Sequence, residues 1–435
     1  MTSTLTKNTA RFDYIPVGGA KQPTKVSLVR LATNVITDWV PGVPNSLSRG
    51  FADLLSRILK AETTTQSAAD TWIVQSQVHG FEKQWKNATS WMLGVAFCRW
   101  VIEQEGYAWW APVSAFTRAK NKTPVARHKW LDKKFSVNDC YVQPPPVPTS
   151  KLLPDYILAR QKGGTPRYEI SFAESKGGDH NVAGVGWSSG SVTWRNQCLN
   201  AELYRKRKSA PDVHVPAKQR LVVATRVNTK GKRPYTRRIQ VRAWNSRNLE
   251  TIDAEDAFRE VLAMHYFGVC EQIGFSANAF LIASELRLRG IQNQLYGLED
   301  DHNNPDRDSL LKQLRREAAE MREEQARVAA DAGSELEPRK LDAVREAVFI
   351  NPDVAPYATD AGGVRVGLSE SALDAVRWLQ GRNDNFNPDS LYHMEGEARE
   401  LSVAEASTGV AYRNDGVVGI LGRAVDGRRP QTPDY

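Results

Sequence analysis

What the chain lacks narrows it first. No run of about 18 apolar residues occurs in it. The N-terminus, MTSTLTKNTARFDYIP, has none of the apolar stretch a secretory leader needs. A cytoplasmic protein without membrane partners is therefore expected. Cysteine is scarce, and Cys98, Cys140, Cys198 and Cys270 are far apart with no CxxC pair. That spacing signals neither a zinc site nor a disulfide framework and leaves buried free thiols. No internal repeat is present. Acidic residues are short in one place: between positions 115 and 248 there are 8 Asp and Glu against 27 Lys and Arg.

That surplus of 19 sits in a chain whose net charge is only +8, so the remaining residues carry −11. Local positive density is what a polyanion rewards, through release of its counterions. The basic third thus reads as a nucleic-acid footprint, with a merely solubilising surface as the alternative. The rest of the composition is ordinary. With 435 residues, 41% hydrophobic content and 12 Trp, the chain can build a packed core, and the length suits two or three domains at roughly 100 to 200 residues each.

Along the chain, residues 1 to 25 are polar with a Gly-Gly pair and are expected to be poorly ordered. The helical spacing of SLVRLATNVITDWV starts near Ser27, and a second helix is read in NSLSRGFADLLSRILKAE. A third, beginning at Thr71 or Phe81 and ended by Gly106, carries Trp85, Trp91, Val95 and Trp100, whose spacing predicts burial. The period then changes to that of strands in YAWWAPV, LPDYILAR, RYEISFAESKG and QRLVVATRV, with IQVRAW as a fifth. A helix from Ser191 through Tyr204 separates the third strand from the fourth. From Asp253 onward the chain reads as helical and acidic, including a long charged helix over 309–331 with Leu310, Leu314, Ala318, Met321 and Val328 in one stripe. The last hundred residues mix the helix SESALDAVRWLQ with the strand GVVGIL and a disordered tail. The division expected is a helical region 1–80, a core 81–248, a helical region 249–345 and a small mixed region 346–435.

One stretch breaks its own pattern. In YEISFAESKG, alternation puts Ile170, Phe172, Glu174 and Lys176 on one face. Two apolar side chains are followed there by a carboxylate and an ammonium. Pro154-Asp155 opens the preceding strand, with 18 residues between Asp155 and Glu174. Pro154-Asp155 followed by Glu174-x-Lys176, within the order helix, strand, strand, strand, helix, strand, resembles the PD-(D/E)xK nuclease superfamily. The resemblance covers about residues 81 to 245. It implies an α/β restriction-endonuclease-like fold, a mixed sheet flanked by helices.

It also implies chemistry. Phosphodiester hydrolysis brings water to a phosphorus ringed by negative oxygens, and a divalent cation relieves that charge. Mg²⁺ takes hard oxygen ligands, keeps several waters and needs one or two carboxylates. Asp155 and Glu174 would hold Mg²⁺ or Mn²⁺, with the Ser175 backbone carbonyl as the further ligand and Lys176 orienting the attacking water. A structural reading of the same residues is an exposed Glu174–Lys176 pair and a turn carboxylate at Asp155. Gln197, on the following helix, is placed where superfamily members touch the metal water or phosphate. Its spacing of seven from Tyr204 departs from the four of the exonuclease branch. Glu82 is the first-helix acid that would complete the metal set, with Glu103 and Glu105 as rivals. Asp179 and His180 follow in the glycine-rich loop. Arg118, Lys120, Lys122, Arg127, Lys129, Arg195, Arg205 and Lys206 are candidates for phosphate contacts. The expected function is a metal-dependent endonuclease on DNA, duplex before RNA, of the restriction, repair or anti-phage kind, as a homodimer or a subunit of a defence complex. A non-catalytic nucleic-acid-binding protein and an RNA-cleaving toxin are the alternatives.

Overall fold

The first strands arise where the sequence suggests little order. In the computed structural model, β1 (Thr9–Ile15) and β2 (Gln22–Ser27) form an antiparallel hairpin. Its turn contains Gly18 at a φ of 64°, a left-handed position that favours glycine. The Gly-Gly pair is turn chemistry, and alternation in ARFDYI buries Ala10, Phe12 and Tyr14 on one face. The structure describes residues 9–38, 50–51, 54–55, 57–64, 67–75, 78, 80–81, 83–116, 140–143, 153–164, 167–178, 189–205, 211–227, 238–248, 254–300, 305–335, 347–349, 364–394, 398 and 410–421.

α1 (Leu28–Ile36) begins where the helical spacing starts, and Ser27 caps it by accepting from the Arg30 N–H at 3.0 Å. The second expected helix gives way at Leu59 to a hairpin of β3 (Leu59–Thr64) and β4 (Ser67–Val74). Its threonines and the TWIV run favour strand, and Trp72 locks it by donating from Nε1 to the Val26 carbonyl at 3.1 Å. The region expected to be helical over 1–80 therefore supplies four strands. α2 spans Lys83–Gln104, excluding Thr71 as its start, and ends before Gly106 at a φ of 81°. Val95 and Trp100 are buried as expected, but Trp85 and Trp91 are 55% and 41% exposed.

The central segment follows as β5 (Trp109–Pro112), β6 (Cys140–Gln143), β7 (Tyr156–Gln161), β8 (Tyr168–Gly178), α3 (Ser189–Leu199), β9 (Glu202–Arg205), β10 (Val213–Val215), β11 (Gln219–Arg226) and β12 (Gln240–Arg247). A nine-stranded mixed sheet runs β3-β4-β1-β12-β11-β8-β7-β5, with β2 beside β1; β10-β9-β6 form a small second sheet. β8 is parallel to β11 and antiparallel to β7. α3 stops at Leu199, so Tyr204 lies on β9, stacked on Tyr141 at 5.7 Å. It does not share a helical face with Gln197.

The chain continues through α4 (Glu255–Ile273), α5 (Ser276–Asp300), α6 (Arg307–Glu335), β13 (Ala347–Phe349), β14 (Val364–Ser369), α7 (Glu370–Leu379), β15 (Val410–Tyr412) and β16 (Val417–Leu421). Leu314, Ala318 and Met321 of α6 pack on Leu288 and Ile291 of α5. Leu311, rather than the exposed Leu310, starts that buried stripe. The strand read in GVVGIL belongs to a four-stranded sheet, β13-β14-β16-β15. Among the described residues no helix is long and apolar enough to cross a membrane.

Two helices cover the middle of the large sheet. α2 runs antiparallel to β8: Ser90 and Gly94 lie over Gly177, while Tyr107, just past the helix, shares a 2.6 Å hydrogen bond with Ser171. The crossing is backbone on backbone. A Cβ on Gly177 would stand 1.7 Å from the Ser90 carbonyl oxygen, so only glycine fits. On the opposite face Cys198 of α3 packs on Val222 and Ala224 of β11, which pair with Glu174 and Lys176.

Candidate active site

The register places Asp155, one residue before β7, opposite Glu174 on β8. The two interlock through the backbone. The Asp155 N–H donates to Glu174 Oε2 at 3.1 Å, and the Ser175 N–H donates to Asp155 Oδ2 at 2.8 Å. The Asp155 carbonyl accepts from the Val113 N–H at 3.0 Å, tying the same residue to the end of β5. Lys176 Nζ forms an ion pair with Glu174 Oε1. Asp155, Glu174 and Lys176 are thus brought together at the carboxyl end of β8.

Their burial is graded. Glu174 is fully buried, the Lys176 side chain keeps 30% exposure, and Asp155 is open to solvent on one side. An exposed surface pair does not describe Glu174. Burial pushes its carboxyl up to about 8, the Asp155 charge adds to the rise, and Lys176 opposes it. Asp155 is raised too, by the protein packed around it, with the Ser175 N–H and Lys176 opposing; water on its open side screens part of this effect. For Lys176, burial works against the ammonium, but Glu174 and Asp155 together outweigh it and raise its pKa.

Two carboxyl groups with elevated proton affinity in one place are the electrostatic situation that a cation relieves. The donors are oxygens. The nearby thiols of Cys98 and Cys198 are buried and pushed up by desolvation, which keeps them protonated. Among the described residues no three His, Cys, Asp or Glu side chains converge, and the carboxylates at the rim are those of Asp155 and Glu174. That donor set fits Mg²⁺ or Mn²⁺, hard ions that retain water. Continuing the register one step sets Pro154 opposite Ser175. A proline has no N–H to offer that carbonyl.

Gln197 is buried on α3, and among the described residues no hydrogen bond joins it to Asp155, Glu174 or Lys176. Arg195 lies 5.4 Å over the Trp244 ring, and Arg205 pairs with Asp256 at the start of α4. Glu103 is buried against Arg30, and Glu105 accepts from Gln219 at 3.0 Å, so both rivals to Glu82 serve the core. Glu82, Arg118, Lys120, Lys122, Arg127, Lys129, Asp179, His180 and Lys206 lie outside the described residues.

Behind the site is a layer of buried charge that the sequence did not reveal. Asp38 pairs with Arg99 and accepts from the Tyr156 hydroxyl at 3.3 Å, next in the chain to Asp155. The Arg99 guanidinium lies 3.9 Å over the Tyr156 ring and 4.2 Å over Trp110, whose ring also meets Arg413 at 4.2 Å. Arg413, on the turn between β15 and β16, pairs with Asp415 and with Glu103. Glu103 pairs with Arg30 at 2.6 Å, and Asp415 bonds His265 at 2.8 Å. Only pairwise proximity in the fold unites these residues, which no local motif could signal.

No family model, curated protein or solved structure matches the chain.

Proposed function

We propose that the protein is a metal-dependent nuclease of restriction-endonuclease-like fold that hydrolyses phosphodiester bonds of DNA. The observation that carries this reading is the interlocked Asp155–Glu174 pair with Lys176 bonded to it at the rim of a mixed sheet. The order α2, β5, β7, β8, α3, β11, with β6 set aside in the small sheet, supports the PD-(D/E)xK resemblance.

Asp155 and Glu174 would hold Mg²⁺ or Mn²⁺, joined by the Ser175 carbonyl. When bound, the cation neutralises phosphate charge and acidifies a water. The chain's own groups do the rest. The N–H groups of Asp155 and Ser175 fix the two carboxylates, so little reorganisation is needed on substrate binding. Lys176, whose side chain keeps 30% exposure, would offer an ammonium donor to orient a water and to meet charge developing on the phosphorane oxygens. By register Arg226 and Arg242 share the face of Lys176, a basic row suited to backbone phosphates.

The test is cleavage of plasmid, linear duplex and single-stranded DNA with Mg²⁺ or EDTA, alongside Glu174→Ala and Lys176→Ala. Cleavage lost with EDTA and in both variants is expected. Binding without cleavage in every metal would replace this reading with a non-catalytic one.

A further inference from the structure

Strand pairing is continuous from β8 through β11, β12 and β1 to β2. Paired residues share a face of the sheet, so the register fixes which side chains stand on the face of Lys176. Lys176 pairs with Ala224, Ala224 with Arg242, and Arg242 with Ile15. Two residues further toward the carboxyl end of β8, Arg226 stands beside Gln240 and Gln240 beside Asp13. Two more in the same direction along β1 reach Arg11, which pairs with Lys25. Arg226, Arg242, Arg11 and Lys25 therefore occupy the Lys176 face, at the end of the sheet that carries the site. The core lies on the other face, where Ala10, Phe12, Tyr14, Val26 and Val241 are buried.

On β11, β12, β1 and β2 the acid of this face is Asp13, and Lys21 already pairs with it at 3.1 Å. Lys25 is exposed, and Arg11, Arg226 and Arg242 are half-buried. Four strand steps of about 4.8 Å carry the row about 19 Å from β8 to β2. That is the length of about six nucleotides at 3.4 Å per phosphate. Cations of one sign over such a span suit a polyanion. The ring on this face, Trp244, packs with Cys198, Val222 and Ala224 and has Arg195 at 5.4 Å, while Phe12 and Tyr14 point into the core. Unpaired bases would find little to stack on, whereas a closed duplex offers its phosphates outward. We propose that the β1–β2 hairpin, which lies outside the nuclease-like residues 81 to 245, is a duplex-binding element. Arg11 and Lys25 continue the row of Arg226 and Arg242 and hold phosphates of duplex DNA up to about six nucleotides from Lys176. That this tract adjoins the cut rests on the nuclease reading; the basic surface itself does not.

The experiment uses the full-length Glu174→Gln chain in EDTA with fluorescein-labelled blunt duplex DNA and single-stranded DNA of equal length. Anisotropy gives Kd at salt concentrations from about 50 to 200 mM. Duplex should bind more tightly than the single strand. Arg11→Gln and Lys25→Gln should each weaken binding equally for unrelated duplex sequences and lower the slope of log Kd against log salt by about 1. Lys312→Gln, at an exposed position of α6, should leave the slope unchanged. Thermal melts establish which variants are folded, and the exposed Lys25 decides the matter should Arg11→Gln not fold. An unchanged slope in the folded hairpin variants, an equal fall for Lys312→Gln, tighter binding of the single strand, or no binding of either DNA would overturn the proposal. Plasmid cleavage by the wild-type chain with Mg²⁺ would in that case leave the nuclease reading standing. Hairpin-dependent duplex binding without cleavage in any metal would support the proposal and overturn the nuclease.

Discussion

Replacing Glu174 by glutamine should stabilise the metal-free protein at alkaline pH while removing its response to Mg²⁺. The ordinary glutamate value is 4.5, and burial beside Asp155 raises it to about 8. A carboxyl whose folded pKa is raised contributes stability that is complete below about 4.5 and is lost as pH climbs through about 8. Each tenfold in proton affinity is about 1.4 kcal/mol, so the loss across that window is on the order of 4 to 5 kcal/mol. Glutamine keeps the shape and the Asp155 N–H partner without the charge, so the variant should not show this decline. The assay is urea unfolding in EDTA at pH 5, 7 and 9, repeated with millimolar Mg²⁺. Wild type should weaken relative to the variant as pH rises and recover with Mg²⁺, because a ligand that binds only the folded state stabilises it. Parallel pH profiles for the two proteins, or a Mg²⁺ response retained by Glu174→Gln, would refute the reasoning.

Further outcomes follow from the same geometry. Lys176→Met should lower cleavage at least 100-fold in single-turnover assays with a much smaller effect on substrate affinity measured in Ca²⁺. Asp415→Ala strands the buried Arg413 without its nearest counter-ion and should cost about 3–5 kcal/mol in chemical denaturation. Gly177→Ala would force the α2 crossing apart and should cost about 3 kcal/mol or more, read as a fall in Tm. Cys98 and Cys198, buried with thiols pushed up, should resist alkylation by iodoacetamide at pH 8 until the protein is denatured, as followed by mass spectrometry.

Period-two alternation made β5, β7, β8, β11 and β12 legible, because each is bounded by Gly, Pro or charged turns. The same rule exposed the anomaly at Glu174 and Lys176, since alternation predicts which side chains share a face. Elsewhere the deciding physics was not local. ARFDYI has a strand pattern, but only its partners β12, β2 and β4 make β1 a central strand. Trp85 and Trp91 fit a helical stripe in the sequence, yet both stay exposed because the face of α2 that meets the sheet is the one of Ser90 and Gly94. The Leu203–Tyr204 pair completes a small sheet with Tyr141, an attraction that ends α3 earlier than its spacing suggests. Arg99, Asp38 and Arg413 find one another across as many as several hundred positions, and their pairing is decided by topology alone.

The arginine on the β15–β16 turn gives the chain an order of assembly. Trp110 lies between Arg99 and Arg413, and Glu103 is shared by Arg30 and Arg413, so the β15–β16 turn closes a wall begun by residues 30 to 110. During synthesis that wall stays open until the ribosome has released the β15–β16 turn. Maturation of the rim above it therefore waits for residues near Arg413.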